Sequence, residues 1–197
     1  MEIIIHRINK IRDLKKIPKT YGTEIDIRSN GSKLILNHEA KTNGDNFENY
    51  LDNYKNGTLI LNIKESGIEN EVLKKVKTYK HIKSFFLLDV ETPYLFECLK
   101  NNNKYCALRT SHYEPLSSLK KFNKIYNWLW VDTIKKVNFS KKSEKKFLSN
   151  FKVCLVCPER WGKANEINYY KKYFKKENIK IHAVMTSLKY VKTWLKD

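Results

Sequence analysis

Glycine is scarce in this sequence, at six of 197 residues, and none of the six belongs to a phosphate-cradling loop. Neither G-x-G-x-x-G nor G-x-x-x-x-G-K-[S/T] occurs, which argues against nucleotide binding of the usual kinds. The same lack weighs against a doubly wound open sheet, whose first turn carries such a loop. Long apolar runs are missing too. Nothing approaches the roughly 18–20 apolar residues that span a bilayer. The opening Met1-Glu2-Ile3-Ile4-Ile5-His6-Arg7 has no basic leader and no apolar run of signal length. It reads as a first strand, and a cytoplasmic location is expected.

Cysteine is also limited to four residues, Cys98, Cys106, Cys154 and Cys157. The last two form a C-x-x-C, yet no second C-x-x-C or nearby histidine pair completes a zinc set. They lie in the apolar run Phe151-Lys152-Val153-Cys154-Leu155-Val156-Cys157, which reads as a strand. Residues three apart on a strand face opposite ways, so this pair cannot chelate one ion there. Buried thiols are expected.

Acidic residues are outnumbered by basic ones, 21 to 39, for a formal net charge of +18. Such a balance suits nucleic acid, an anionic membrane surface or a polyanionic substrate. The excess is nearly all lysine, in pairs such as Lys74-Lys75, Lys120-Lys121, Lys141-Lys142 and Lys171-Lys172. An RNA-binding stripe would interleave arginine and exposed aromatics in one segment. Lysines recurring on most of the expected helices point instead to solvated outer faces. No nucleic-acid partner is expected, and peripheral contact with an anionic membrane stays open.

What the chain does have is rhythm. There is no internal sequence repeat, but short β-branched or aromatic runs recur: Ile3–His6, Thr23–Arg28, Leu59–Ile63, Ser84–Asp89, Tyr105–Arg109, Trp128–Asp132, Val153–Cys157 and Ile181–Met185. Segments of helical period separate several of them, such as Phe47, Tyr50, Leu51 and Tyr54 at i, i+3, i+4 and i+7. An additional run, Lys33–His38, follows the turn Ser29-Asn30-Gly31-Ser32 and reads as a hairpin on the second strand. Eight apolar strands alternating with helices predict a parallel sheet covered on both faces. The expected fold is α/β: one domain over 1–197, a (β/α)8 TIM barrel with shortened helices.

Chemistry in such a barrel sits where strands end, and the ends here are polar. The first run ends in His6-Arg7. The second carries Glu24, Asp26 and Arg28, alternating with Ile25 and Ile27, so the charged residues share one face. Two carboxylates on one face repel unless a cation or basic groups lie between them. A hard divalent ion suits such oxygen ligands. Asn62 and Lys64 share a face of the third run, and later runs end in Asp89, Arg109, Asp132 and Glu159-Arg160.

The series Ile3-Ile4-Ile5-His6-Arg7, Thr23-Glu24-Ile25-Asp26-Ile27-Arg28 and Gly31-Ser32-Lys33-Leu34-Ile35-Leu36-Asn37-His38-Glu39 resembles the start of the glycerophosphodiester phosphodiesterases. These belong to the PLC-like phosphodiesterase superfamily, and the likeness is to its short bacterial members. The run ending in Lys64 is similar to that family's lysine strand. The resemblance implies a phosphoric diester hydrolase in which His6 and His38 are the acid/base pair. It implies that Arg7 holds the phosphate, that Lys64 helps neutralise it, and that Glu24 and Asp26 ligate Mg²⁺ or Ca²⁺. Asn62 stands where the family has a third metal carboxylate and supplies one oxygen without charge. Arg109, at a strand end, is a further candidate for substrate binding. The substrate expected is a glycerol-type phosphodiester, in phospholipid or surface-glycan metabolism. Two alternatives remain: a non-catalytic phosphate- or glycan-binding relative, and a basic nucleic-acid-binding protein.

Overall fold

β-Branched and aromatic residues fill the runs that become strands, as their fit to a pleated, buried surface requires. In the computed structural model, which describes residues 1–122 and 126–196, all eight runs form strands within one or two residues of the expected bounds. The chain is a mixed α/β protein whose strands, ten among the described residues, pair mostly in parallel. It divides into two compact units. One is Ile4–Glu97, and the other is Met1–Ile3 with the chain from Cys98 onward.

In the first unit, β1 (Glu2–Ile5) contributes Ile4 and Ile5, which pair in parallel with Gly22 and Thr23 of β2 (Gly22–Asn30). A single helical turn, α1 (Ile11–Leu14), lies between them. β3 (Lys33–Leu36) returns antiparallel to β2, with Ile27 opposite Leu36. The turn joining them takes Gly31 at φ +60°, the left-handed region that glycine enters without a Cβ penalty. A two-residue β4 (Asp45–Asn46), not foreseen in the sequence, pairs back onto β3. Its approach leaves no room at Gly44, where a Cβ would stand 2.2 Å from the Leu36 carbonyl oxygen.

Asn46 then caps α2 (Phe47–Asn53), its side-chain oxygen accepting from the Asn49 amide at 2.9 Å. Phe47, Tyr50 and Leu51 of α2 are fully buried. Burial of each such side chain stabilises the unit by roughly 1.5–3 kcal/mol. β5 (Leu59–Ile63) pairs in parallel with β2, placing Asn62 beside Asp26. α3 (Glu69–Thr78), β6 (Phe85–Leu88, parallel to β5) and α4 (Thr92–Lys100) follow. All five residues of β5 are buried, as a strand covered on both faces demands.

The second unit repeats the alternation. β7 (Ala107–Thr110), β8 (Trp128–Val131), β9 (Lys152–Val156) and β10 (Ala183–Thr186) pair in parallel in that order. The connection after β7 holds a 3₁₀ turn, Leu116–Phe122. α5 (Lys142–Leu148) and α6 (Ile167–Lys176) occupy the later connections, and α7 (Val191–Leu195) follows β10. On α6 the apolar face of Ile167, Tyr170 and Phe174 is buried while Lys172, Lys175 and Lys176 are exposed. All four cysteines are buried free thiols. Cys98 and Cys106 bring their sulfurs to 3.6 Å, a proximity the sequence does not signal. Among the described residues, no helix is long and apolar enough to cross a membrane.

Candidate functional site

β1, β2 and β5 run parallel in the first unit, so their carboxyl ends open on one edge. Alternation along β2 turns Glu24 and Asp26 to the same side, where they are 1% and 0% exposed. A buried carboxylate is strongly disfavoured unless hydrogen bonds and opposite charge replace its water. Both carboxylates are supplied from the ends of neighbouring elements. Glu24 accepts from the Arg7 backbone amide at 2.7 Å and from the Asn62 side-chain amide at 2.8 Å. The His6 Nε2 lies 3.9 Å from Glu24 Oε2.

Asp26 accepts from Asn9 Nδ2 at 2.8 Å, and its own backbone amide donates to Asn9 Oδ1 at 2.8 Å. Asn9 thus clamps Asp26 at two points. The Arg7 Nε stands 3.7 Å from Asp26 Oδ2. On the other side Lys64 Nζ stands 3.4 Å from Asp26 Oδ1 and 3.5 Å from Asp89 Oδ2. The Lys64 amide donates to the Ile27 carbonyl at 3.0 Å, which anchors this lysine to β2.

Burial, and next to it the Asp26 charge, push Glu24 from its ordinary 4.5 up to about 7; the Asn62 and Arg7 hydrogen bonds and the Lys64 charge hold it from rising further. Arg7 and Asp89 both have left-handed backbones, at φ 52° and 56°. Such residues are uncommon outside glycine and concentrate where function holds the backbone in place. Both lie at strand ends in this cluster.

His38 follows β3 and is less enclosed. Its Nδ1 lies 2.6 Å from Glu39 Oε1, and that contact holds Glu39 below the usual carboxylate range. Arg28, on the charged face of β2, donates from Nε to the His38 carbonyl at 3.1 Å. A cavity of about 570 Å³ is lined by Arg7, Asn9, His38 and Asp45, among others. His6 is set against Glu24 instead.

The cluster therefore joins His6, Arg7, Glu24, Asp26, Asn62 and Lys64, with Arg7 and His38 meeting at the cavity. Sequence reasoning misses Asn9, which falls in a segment with no strand or motif signal. It names Asp89 only as a strand end. Arg109 belongs to the second unit and is engaged there: Nη2 donates to Asp132 Oδ2 at 3.0 Å, and Nε lies 3.1 Å from Glu114 Oε2. Asp132 also accepts from the Trp161 indole at 2.8 Å.

The residues expected to ligate Mg²⁺ or Ca²⁺ do not suit that ion. A hard cation needs several oxygens converging on one point. Here both Glu24 oxygens accept N–H groups and Asp26 Oδ2 accepts from Asn9, while the buried Asp26 Oδ1 has no hydrogen bond and faces the Lys64 ammonium at 3.4 Å. Asn62 presents its N–H to Glu24, leaving its buried Oδ1 without a hydrogen bond. Among the described residues no group of three or more His, Cys, Asp or Glu is placed to hold a metal. Comparison of the chain with protein-family models, with curated proteins and with solved structures finds no match.

Proposed function

We propose that this chain is a phosphoric diester hydrolase of the glycerophosphodiester phosphodiesterase kind, built on a (β/α)8 barrel. The observation that carries the reading is a guanidinium and an ammonium set against two buried carboxylates, with imidazoles at neighbouring strand ends. A phosphodiester is a monoanion that repels an incoming nucleophile, and cations at its oxygens offset that repulsion. Arg7 both belongs to this cluster and lines the cavity, so its guanidinium receives the phosphate. Lys64 adds the second positive charge.

The attacking hydroxyl, the substrate's own or water, forms a new P–O bond while the bond to the leaving alkoxide breaks. One imidazole takes the proton from the attacker and the other gives a proton to the leaving oxygen, so the proton count balances. His6 and His38 fill these roles. The alternation of strand and helix in each unit supports the barrel. The motif likeness at 3–39 supports the glycerol-type substrate.

The test is turnover of a panel of glycerophosphodiesters by the full chain, with His6→Ala and His38→Ala. Loss of an acid/base group lowers such rates by roughly 10²–10⁴-fold, and that is the expected result for each variant. Unchanged turnover in either variant removes that histidine from the mechanism. A second reading, a non-catalytic phosphate-binding relative, is favoured by one observation: the cavity is lined by Arg7 and His38 but His6 sits against Glu24. Saturable phosphate binding without turnover of any diester would select it.

A further inference from the structure

We propose that Lys64 is the resident cation of this site, and that with Arg7 it replaces the divalent metal, so the phosphate is handled without one. This rests on the phosphate-handling reading above and deepens it. Lys64 Nζ lies between Asp26 on β2 and Asp89 after β6, at 3.4 and 3.5 Å, and its side chain is only 16% exposed. Its backbone is fixed by the hydrogen bond to Ile27. The ammonium is therefore held in place by two carboxylates on either side of its own strand.

An ammonium has three N–H donors. At 3.4 and 3.5 Å its contacts with Asp26 and Asp89 are ion pairs, and Asp26 Oδ1 has no hydrogen bond, so the donors can turn to a phosphate oxygen. The Arg7 guanidinium, 3.7 Å from the other Asp26 oxygen, supplies a planar fork on the opposite side. The carboxylates then act as fixed counter-charges that position two organic cations. Asn62 completes the design. A carboxylate in its place could only accept, and would add a third negative charge. The amide donates to Glu24 at 2.8 Å and so ties that carboxyl into the lattice of hydrogen bonds.

The experiment uses the full chain, stripped with EDTA and returned to metal-free buffer. Melting is followed while Mg²⁺, then Ca²⁺, is added up to millimolar concentrations. Binding of inorganic phosphate is measured by calorimetry with and without each ion. The expected result is no metal-dependent shift in melting and the same phosphate affinity in EDTA. Lys64→Gln, which keeps the bulk and removes the charge, is expected to weaken phosphate binding by about tenfold. Its own melting curve establishes whether it folds. A metal-dependent rise in melting temperature in the native chain, or phosphate binding that requires the ion, overturns the proposal, and neither observation depends on the variant. Metal-dependent phosphate binding would leave the phosphate-handling reading standing, whereas absence of phosphate binding under every condition removes both.

Discussion

Replacing Glu24 by glutamine separates the cost of its charge from the value of its hydrogen bonds. The folded carboxyl releases its proton near pH 7, an unfolded glutamate near 4.5. Between those values the folded state binds the additional proton. The stability this contributes is complete below about pH 4.5, falls as pH rises through the interval, and is gone above about pH 7. At roughly 1.4 kcal/mol per pH unit, the interval corresponds to about 3 kcal/mol. For a chain of this size that is a melting difference of about 6–12 °C.

Glutamine carries no charge at any pH, so its stability lacks this slope. It retains one acceptor for the Arg7 and Asn62 amides and loses the other, a pH-independent penalty of about 1 kcal/mol. The assay is urea unfolding of both proteins from pH 5 to pH 9, read as the difference between them, which cancels the titration of groups that do not interact with Glu24. Glu24→Gln is expected to be slightly less stable than the native chain at pH 5 and more stable, by about 2 kcal/mol, above pH 8. A difference that stays constant across this range refutes the account of a carboxyl destabilised by burial beside Asp26. A difference moving the other way does so more strongly, since it would mean that the ionised form is the favoured one.

Three further expectations concern packing and partners. Gly44→Ala drives a Cβ to 2.2 Å from the Leu36 carbonyl oxygen and is expected to destabilise the β3–β4 return by about 1–3 kcal/mol, measured by urea unfolding. Asn9→Ala leaves the Asp26 amide and one buried Asp26 oxygen without their clamp, and a loss of about 2 kcal/mol is expected by the same method. Burial raises the thiol pKa of Cys154 and Cys157, and all four thiols are enclosed. An aromatic disulfide reagent is expected to react slowly with the native chain and to count four thiols at once in denaturant.

How much of this is legible in the sequence differs between position and partnership. Alternation in Glu24-Ile25-Asp26-Ile27 places both carboxylates on one face because a strand has no other period. Parallel pairing then brings His6, Arg7, Asn62 and Lys64 to the same edge. Gly31, in a polar turn between two apolar runs, marks the hairpin just as clearly. Partnership is a different matter. Asn9 reaches Asp26 from a loop with no periodicity. Arg109 occupies a strand end that reads as a substrate position, yet it pairs with Asp132 and Glu114. A strand end says where a side chain emerges and nothing about what meets it.

Asn62 makes the distinction sharpest. Its identity reads as a metal ligand stripped of charge, because an amide oxygen occupies the place of a carboxylate. An amide has a donor end as well, and which end faces Glu24 depends on the charges already gathered there. Two carboxylates with no nearby cation would turn the ends of the site toward an external ion. With Arg7 on one side of Asp26 and Lys64 on the other, negative charge is already opposed from within the chain. The remaining need of Glu24 is then for N–H groups, and Asn62 supplies one. On the proposed reading, the amide that weakens a metal site in isolation is the one that completes a site built on internal cations.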